Sequence, residues 1–440
     1  MNWGKVKIHE GEKMKFILVL LDGLSDRSYA SLGFKTPLQV ARTPNLDKLA
    51  VLGANGLYHA SFSGQSLSSE SAHFLMFGYS LTDFPGRGLL EAVGEGIKFN
   101  DQDVIMMAHL CNVIRKRGGL ILKKGKDEIK GNGKEIGRLF QTLGPYEIDN
   151  IGFKIQQIGY NDALLILKGQ VSPYISDSDP ITPGLPMAKI VPLENNPEPR
   201  NATITARALN RYLSHCHQLL CHLQHHLGAN FLATQCAGRH RIQTSFQSKW
   251  GLKGKIITSL SVLGGLAKEL GMDFVEVKDS SDPGNDLKWR IRLALDETNC
   301  DFIYVHTKVP DEAAHSDDPD LKQRRIERLD SGLGELLTAI NKRSDILVAV
   351  TADHFTPSQS VVIHSDEPVP LIFIGRTVRR DAVRYFDKVR AASGGLGILK
   401  GSEILHLAIN CLDRGVLSGH RLGAAEVPFF PPPYEPFESD

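Results

Sequence analysis

Short, uninterrupted apolar runs that end on polar residues constrain the fold of this 440-residue chain more than any other feature. The clearest run extends from Phe16 to Leu21 and is followed at once by Asp22. Because every side chain in it is apolar, the run predicts a strand that is buried on both faces of a parallel sheet. Further strands are predicted at 256–257, 302–305, 346–350 and 369–374.

Segments with helical periodicity alternate with these runs. Thr43 is predicted to cap a helix that has Pro44 at its first position. Other helices are predicted at 263–270, 286–298 and 319–341. The alternation predicts an α/β fold with a doubly wound, mostly parallel sheet, in which ligand-binding residues gather at the carboxyl ends of the strands.

The middle of the chain, residues 96–229, breaks this alternation. It contains a lysine-rich loop, a Ser-Asp-Ser-Asp-Pro turn at 176–180 and a proline-rich stretch at 180–199. We therefore expect residues 96–229 to form an inserted α+β cap domain that contributes to substrate binding. Residues 1–95 and 230–440 are then expected to form one discontinuous core domain.

A long helix is predicted over 203–226, and it carries five histidines: His215, His217, His222, His225 and His226. No carboxylate or thiolate is convincingly placed to share a metal with them, so we interpret them as part of a polar helix face. The proline-rich C-terminal tail cannot continue a helix. It is predicted to lie extended on the surface or on a neighbouring subunit of a homo-oligomer.

Composition and charge exclude several classes of partner. The 51 basic and 50 acidic residues leave a formal net charge of +1, which gives no electrostatic case for nucleic acid or an anionic membrane. The run from Phe16 to Leu21 is too short for a membrane span or a signal peptide. The six cysteines form no C-x-x-C pair, as is typical of reduced thiols. We therefore expect a cytoplasmic enzyme.

Carboxylates and imidazoles cluster near predicted strand ends in the last third of the chain. The strings HTKVPDEAAH, TADH and IHSDEP contain Asp311, His315, Asp353, His354 and His364. A D-x-x-x-H spacing places both side chains on one face of a helical turn. Asp22 and His306 also follow predicted strand ends and are further candidate ligands. Such oxygen and nitrogen donors suit Mn²⁺, Mg²⁺ or Zn²⁺.

Ser69 lies where a serine-rich loop runs into an apolar, helix-like segment. A serine near a helix N-terminus has backbone N–H groups beside it that favour an anion such as phosphate. Helix capping is the structural alternative for this residue. If this stretch supplies a nucleophilic hydroxyl, Ser66, Ser68 and Ser71 are alternatives to Ser69.

A series of longer strings occurs in a family-specific order: LLDGLSD, TPNLDKLA, SESAHFLMFGY, GRGLLEAVGEGI, HTKVPDEAAH, TADHFTP and HSDEPVP. Through these strings the chain resembles the archaeal-type, cofactor-independent (2,3-bisphosphoglycerate-independent) phosphoglycerate mutases. These are metalloenzymes of the alkaline phosphatase superfamily. The resemblance extends from residue 15 to about residue 415. It implies an alkaline-phosphatase-like core and a glycolytic isomerase that acts on 2- and 3-phosphoglycerate or a related small phosphorylated acid.

The resemblance also implies a two-metal site, with Mn²⁺ or Mg²⁺ as the first choice and Zn²⁺ or Co²⁺ as alternatives. One metal would be held by Asp311, His315 and His364. The other would be held by Asp22, Asp353, His354 and the oxygen of Ser69. Two cations roughly 3.5–4 Å apart can clamp a phosphoryl group. Metal coordination would activate Ser69 for attack on a phosphomonoester, which gives phosphoserine.

The chain departs from the family where arginines usually bind the substrate. Met107 and His109 replace an arginine and an asparagine, Asn161 and Asp162 replace a His-Arg pair, and Gln235 replaces a third arginine. Because arginine forks bind carboxylate and phosphate, these changes indicate another substrate or another way of binding it. The remaining candidate anion contacts are Lys308, Arg87, Arg239 and Arg241.

Three functional hypotheses follow. The first is a phosphomutase that returns the phosphoryl group to another hydroxyl of its substrate. The second is a metal-dependent phosphohydrolase or phosphonate-processing enzyme with the same phosphoserine chemistry. The third is an inactive binding or regulatory relative, which the intact ligand set and Ser69 disfavour.

Overall fold

The computed structural model describes residues 14–223 and 226–438. The chain divides into two compact units, of which the first comprises residues up to Phe84 and from Gln243 onward. The second unit is the insertion Pro85–Ile242. It begins before and ends after the range 96–229 expected from the sequence.

The first unit has an α/β architecture with a mostly parallel sheet, and the second unit is built mainly around antiparallel strands. The strands described are β1 Lys15–Leu21, β2 Ala54–His59, β3 Val104–Lys116, β4 Gly119–Lys124, β5 Tyr146–Ile148, β6 Ile151–Gln157, β7 Ala163–Lys168, β8 Phe231–Gly238, β9 Gly254–Thr258, β10 Asp273–Glu276, β11 Phe302–Thr307, β12 Ile346–Thr351, β13 Val369–Ile374 and β14 Gly397–Lys400.

The helices are mostly short and connect these strands. Those described are α1 Pro37–Val40, α2 Pro44–Leu52, α3 Ser69–Met76, α4 Arg87–Gly94, α5 Gly133–Thr142, α6 Pro199–His222, α7 Phe246–Trp250, α8 Ser261–Glu269, α9 Pro283–Asp296, α10 Val309–Ala314, α11 Pro319–Gly332, α12 Gly334–Ile340, α13 Lys388–Ala391 and α14 Glu403–Cys411.

The first unit contains an eight-stranded sheet in the order β10-β9-β11-β1-β12-β13-β2-β14. Its strands pair in parallel except at β13, which runs antiparallel to both β12 and β2. Every side chain of β1 is buried, as expected for a central strand covered on both faces. The predicted α/β class with a mostly parallel sheet is therefore confirmed.

The predicted helix 319–341 is divided in two at Leu333, between α11 and α12. Glycine lies on both sides of the break, and glycine weakens a helix by roughly 1 kcal/mol relative to alanine. Gly332 has a packing role, since a Cβ there would lie 2.5 Å from the carbonyl oxygen of Gly284 in α9. The backbones of α11 and α9 thus pack directly against each other.

Thr43 and Pro44 occupy the first positions of α2 as predicted, but the Thr43 side chain makes no capping hydrogen bond. A carboxylate from α11 takes this role. Oδ1 of Asp330 accepts from the backbone N–H of Leu46 at 2.8 Å, and its Oδ2 accepts from that of Asn45 at 3.1 Å. The prediction of a local threonine cap was wrong because a tertiary contact satisfies the free N–H groups instead.

The second unit contains an antiparallel sheet in the order β4-β3-β7-β6-β5, and β8 also pairs with β3. The long helix α6 contributes Tyr212, whose ring stacks on Phe153 with centroids 4.3 Å apart. The Tyr212 hydroxyl donates to the carbonyl of Leu143 at 2.7 Å. The insertion therefore has a hydrophobic core of its own.

The histidines of α6 have ordinary contacts where they are described. His215 stacks on Tyr146, and Nδ1 of His217 donates to the carbonyl of Asn230. His217 also lies one turn from Cys221, a thiol at helical spacing that the sequence interpretation had discounted. His225 lies outside the described residues.

Among the described residues, no helix is both long enough and apolar enough to cross a membrane. The described part of the C-terminal tail, up to residue 438, contains no helix after α14. This agrees with the prediction that its prolines prevent helix formation.

Candidate metal centre

Three neighbouring strands deliver the candidate ligands to one edge of the large sheet. β1 lies between β11 and β12, and it pairs in parallel with both. Asp22 directly follows β1, and Asp353 lies two residues after β12. Asp311 lies on α10, the helix that follows β11. The carboxyl ends of parallel strands thus bring together residues that are far apart in sequence.

Asp22, Asp353 and His354 form the first cluster, here named the Asp22 group, with ligand atoms within 4.8 Å of one another. Nε2 of His354 lies 3.2 Å from Oδ1 of Asp22 and 3.1 Å from Oδ2 of Asp353. All three residues are buried. Oγ of Ser69, the first residue of α3, lies 2.9 Å from the same Nε2 atom.

Asp311, His315 and His364 form the second cluster, here named the Asp311 group, and their ligand atoms also lie within 4.8 Å of one another. Nε2 of His315 lies 3.3 Å from Oδ2 of Asp311, and Nε2 of His364 lies 3.6 Å from Oδ1. Nδ1 of His364 is 2.6 Å from the carbonyl of Leu67, to which it donates, so Nε2 is left to face the carboxylate. The rings of His354 and His364 stack with centroids 3.8 Å apart, which brings the two groups side by side.

Among the described residues, two buried carboxylate oxygens, Oδ1 of Asp22 and Oδ2 of Asp353, have no hydrogen-bond donor of their own and share the single nitrogen Nε2 of His354. Buried polar atoms are nearly always satisfied, and an unsatisfied one costs about 1–3 kcal/mol or more when charged. The two oxygens lie around one imidazole nitrogen and one serine hydroxyl. Carboxylate, imidazole and hydroxyl together are a donor set that fits a divalent cation.

The electrostatics of both groups favour positive charge. Burial raises the pKa of Asp22, but hydrogen bonds from His306 and His354 hold it well below its usual range. Burial and the charge of Asp22 raise the pKa of Asp311, but hydrogen bonds from its two histidines lower it overall. Burial lowers the pKa of His354, whereas Asp353 and Asp22 raise it well above its ordinary value. The carboxylates therefore stay ionised and attract a cation or a proton.

Gly23, which follows Asp22, has a positive φ of 63° and leaves no room for a side chain. A Cβ there would lie 2.5 Å from Oγ1 of Thr356 and 2.8 Å from Cβ of Asp311. Its N–H also donates to Oδ1 of Asp353 at 3.2 Å. The Asp-Gly pair is therefore required for close packing of the two groups, beyond its usual role in turns.

His306, suggested from the sequence as a ligand, is not a member of either group and contacts the ligand Asp22 instead. Nε2 of His306 lies 3.1 Å from Oδ2 of Asp22, and its Nδ1 lies 2.9 Å from Oγ1 of Thr258. The Thr258 oxygen accepts from the N–H of Leu260, so its own hydrogen is available to Nδ1. Because the Asp22 carboxylate can only accept, Nε2 carries the hydrogen of this bond.

Two residues near the ligands were not identified from the sequence. His73 is fully buried, and its Nδ1 contacts the carbonyl of Ser69 one helical turn earlier and lies 3.8 Å from Oδ2 of Asp353. Burial lowers the pKa of His73, which favours the neutral ring. Thr356 lies between the two groups. The i,i+4 spacing of Ser69 and His73 was the only local signal for either residue.

The alternative nucleophiles have different surroundings from Ser69. The Ser68 hydroxyl donates to that of Ser71 at 3.0 Å, and Ser66 is exposed. Ser69 is the serine of this loop that the structure brings to the Asp22 group.

Lys308 lies half-buried at the N-terminus of α10, where its backbone carbonyl accepts from the N–H of Glu312.

The three candidate arginines belong to the inserted unit. Arg87 begins α4 and lies 3.4 Å from Glu91, and Arg239 pairs with Glu198. The guanidinium of Arg241 lies over the ring of Tyr174, 5.7 Å from its centroid. Arg87 and Arg239 flank a close backbone approach, since a Cβ on Gly86 would lie 2.5 Å from the Cα of Gly238.

Two of the positions that depart from the arginine pattern converge on one carboxylate of the insertion. Asp179 Oδ2 lies 3.2 Å from Nε2 of His109 and 2.7 Å from Nε2 of Gln235. Met107 pairs with Gln235 in the β3–β8 ladder and is buried. Asn161 is also used internally, because its amide bonds the backbone of Leu110 in both directions.

Comparison with protein families places the chain in a class of metalloenzymes. The family model of the Metalloenzyme superfamily matches residues 14–411. This range contains both groups and Ser69.

Individual relatives narrow this class of metalloenzymes to one family. A 2,3-bisphosphoglycerate-independent phosphoglycerate mutase 2 from Methanocaldococcus jannaschii is 40% identical over 431 residues, which cover 93% of this chain and 96% of the relative. The corresponding mutase of Thermococcus kodakarensis is 30% identical over 419 residues, 92% of this chain and 98% of the relative. The chain belongs to the family of 2,3-bisphosphoglycerate-independent phosphoglycerate mutases.

Solved structures agree at the level of the fold. A Pyrococcus horikoshii protein has a TM-score of 0.73 at 24% identity and covers 93% of this chain and 100% of its own. The cofactor-independent phosphoglycerate mutase of Thermoplasma acidophilum has a TM-score of 0.59 at 27% identity, covering 91% of this chain and 100% of its own.

Proposed function

We propose that the protein transfers a phosphoryl group between hydroxyls of a small phosphorylated acid through a phosphoserine at Ser69, as a phosphoglycerate mutase does. The observation that carries this proposal is the 2.9 Å approach of Ser69 Oγ to His354 Nε2, a nitrogen that two buried carboxylate oxygens also share. A nucleophilic hydroxyl and a set of cation ligands therefore share one place. The relatives from Methanocaldococcus jannaschii and Thermococcus kodakarensis are named as phosphoglycerate mutases, which supports the same phosphoryl transfer for this protein.

The Asp22 group, with Ser69, would hold one divalent cation, and the Asp311 group would hold a second. When bound, the cations would supply Lewis-acid stabilisation of the charge that develops on the phosphoryl oxygens. Each group mixes carboxylate oxygen with imidazole nitrogen and offers no thiolate, which suits Mn²⁺ or Mg²⁺ better than a soft metal. Zn²⁺ and Co²⁺ remain chemically compatible with these ligands.

Ser69 would act as the nucleophile toward phosphorus. Its Oγ loses a proton and forms a bond to phosphorus, while the bond between phosphorus and the substrate oxygen breaks. The released substrate oxygen takes up a proton. In the second half of the reaction another substrate hydroxyl attacks the phosphoserine, loses its proton and restores the Ser69 hydroxyl.

A second candidate function is a phosphohydrolase, in which water attacks the phosphoserine. A specific observation favours keeping it: His109 and Gln235 bind Asp179 of the protein itself, at positions where the family resemblance implies residues that bind the substrate anion. The acceptor for the phosphoryl group is selected by the substrate pocket, whereas both reactions use the same ligands and the same serine.

A substrate panel followed by phosphorus NMR tests these functions. We expect purified protein, supplied with Mn²⁺, to convert 3-phosphoglycerate to 2-phosphoglycerate with no added 2,3-bisphosphoglycerate. Release of inorganic phosphate alone from phosphomonoesters would support the hydrolase instead. No phosphoryl transfer with any phosphomonoester or phosphonate, in protein loaded with Mn²⁺, would contradict both.

A further inference from the structure

One hydroxyl group connects the Asp22 group and the Asp311 group. Thr356 lies two residues after His354 and is fully buried. Its Oγ1 lies 2.8 Å from Oδ1 of Asp311 and 3.0 Å from Nδ1 of His354. Each candidate cation site therefore contains one ligand that contacts the same oxygen atom.

The direction of these hydrogen bonds follows from the chemistry of the three side chains. A carboxylate only accepts, so Thr356 donates its single hydroxyl hydrogen to Asp311. The Thr356 oxygen can then act only as an acceptor toward His354, whose Nδ1 must carry the hydrogen. A neutral His354 therefore presents the lone pair of Nε2, the atom that faces Ser69 and the carboxylates of the Asp22 group.

The position of the hydroxyl is fixed from several sides. The N–H of Thr356 donates to the carbonyl of Ser25 at 3.1 Å, and its own carbonyl accepts from Nζ of Lys322 at 2.7 Å. Gly23 provides the space for the side chain, because any Cβ there would collide with Oγ1. These contacts hold the Thr356 hydroxyl between the two groups.

We propose that Thr356 is a positioning residue for both cation sites at once: its hydroxyl sets the tautomer of His354 and orients the carboxylate of Asp311. This inference rests on the proposed function, in which the two groups hold cations. Residues that orient metal ligands in this way typically change metal affinity by about 10–100-fold when they are mutated. Thr356 contacts a ligand of each site through one atom, its Oγ1.

Calorimetric titration of metal-free protein with Mn²⁺ tests the inference without reference to activity. Thr356→Val replaces the hydroxyl by a methyl group of similar size, and we expect the affinity of both sites to fall by about 10–100-fold. Thr356→Ser keeps the hydroxyl and should retain the affinity of the natural protein. Thr356→Ala removes the hydroxyl without adding atoms, so it repeats the test with a smaller side chain if the valine variant is unfolded by circular dichroism.

Thr351→Val is the matched control. Thr351 is also fully buried, and its hydroxyl donates to the backbone carbonyl of Pro370 at 3.0 Å and to no ligand. This variant should lose stability to a similar degree and yet bind Mn²⁺ as the natural protein does.

The possible outcomes separate the inference from the function on which it rests. If the natural protein fails to bind two Mn²⁺ ions, the proposed function is wrong. If it binds two and the hydroxyl-free variants bind them equally well, only the role of Thr356 is wrong. Loss of affinity at one site alone, or an equal loss in Thr356→Ser, would also contradict the inference.

Discussion

Nζ of Lys322 lies 3.3 Å from Oδ2 of Asp26, and both side chains are completely buried. The same ammonium group donates to the carbonyls of Ser25 and Thr356, at 2.9 and 2.7 Å. It thereby links the loop after β1 to the loop after β12, which carry Asp22 and His354 respectively. Burial lowers the pKa of Lys322, an effect that the charge of Asp26 opposes.

Replacing Lys322 by methionine should destabilise the protein by about 3–5 kcal/mol, because Asp26 would keep its hydrogen bonds from Tyr29 and Ser358 but lose the cation that neutralises its buried charge. Urea denaturation of the metal-free protein measures this change in the free energy of unfolding. Arg324→Met on the same helix is the control. Arg324 forms an exposed ion pair with Asp318, so its removal should cost less than about 1 kcal/mol. Equal costs for the two variants would contradict a structural role for the buried pair.

Removing the hydroxyl of Ser69 should abolish formation of the phosphoenzyme. Ser69→Ala leaves every carboxylate and imidazole ligand in place, so we expect it to bind Mn²⁺, with weaker affinity at the Asp22 group. Intact-mass spectrometry after rapid acid quenching should detect a phosphoryl adduct in the natural protein and none in this variant. Ser71→Ala, two residues further along α3, should retain the adduct. An adduct that persists in Ser69→Ala would assign the nucleophile to another residue.

The hydrogen bond from His306 to Asp22 should control metal affinity. Substitution of His306 by leucine leaves Oδ2 of Asp22 without its donor, and we expect the Asp22 group to bind Mn²⁺ about 10–100-fold more weakly. Tyr304→Phe, in the same buried strand, is the control, since the Tyr304 hydroxyl has no hydrogen-bond partner among the described residues. Calorimetry on both metal-free variants compares them. A similar loss in Tyr304→Phe would indicate a general effect on packing.

Metal binding should become weaker as the pH falls. In the metal-free protein, Asp353 and Asp22 overcome the effect of burial and raise the pKa of His354, so its Nε2 keeps a proton above the usual imidazole range. A cation must displace that proton, so binding should release protons. Calorimetry in buffers with different ionisation enthalpies measures the release. A pH-independent affinity would contradict this competition.

The same raised pKa fixes the sign of a stability effect in the metal-free protein. Protonated His354 stabilises the folded state below the pKa of an unfolded histidine, and this stabilisation is lost as the pH rises through the raised folded value. Chelator-treated protein should therefore lose this contribution at alkaline pH. Thermal unfolding across the alkaline pH range, with and without Mn²⁺, compares the metal-free protein with the metal-bound protein.

The placement of Asp22 and Asp353 at one edge of the sheet could be predicted from the sequence because two conditions coincided there. Each follows an apolar run, and runs of this kind form neighbouring parallel strands whose carboxyl ends share one edge of the sheet. The histidines of HTKVPDEAAH and TADH follow within a few residues, so local spacing carried them to the same place. The ligand roles of these residues remain predictions.

Features that depend on contacts between distant segments were not predictable in this way. Asp330 caps α2 from another helix, and nothing near Thr43 indicates that replacement. The insertion begins at Pro85, beside a close approach of Gly86 to Gly238 that local periodicity does not encode. The sequence around Thr356 is that of an ordinary loop threonine, because its partner Asp311 follows β11 whereas Thr356 follows β12.

The discontinuous core has a consequence for synthesis on the ribosome. β1 is made first, but both of its neighbours in the sheet, β11 and β12, are made after the whole insertion. The insertion pairs its own strands and has its own core, so it can fold while β1 is still unpartnered. Asp22 and Ser69 therefore leave the exit tunnel long before the histidines that would share a metal with them. The nascent chain cannot assemble the Asp22 group until translation has passed His354, or the Asp311 group until it has passed His364.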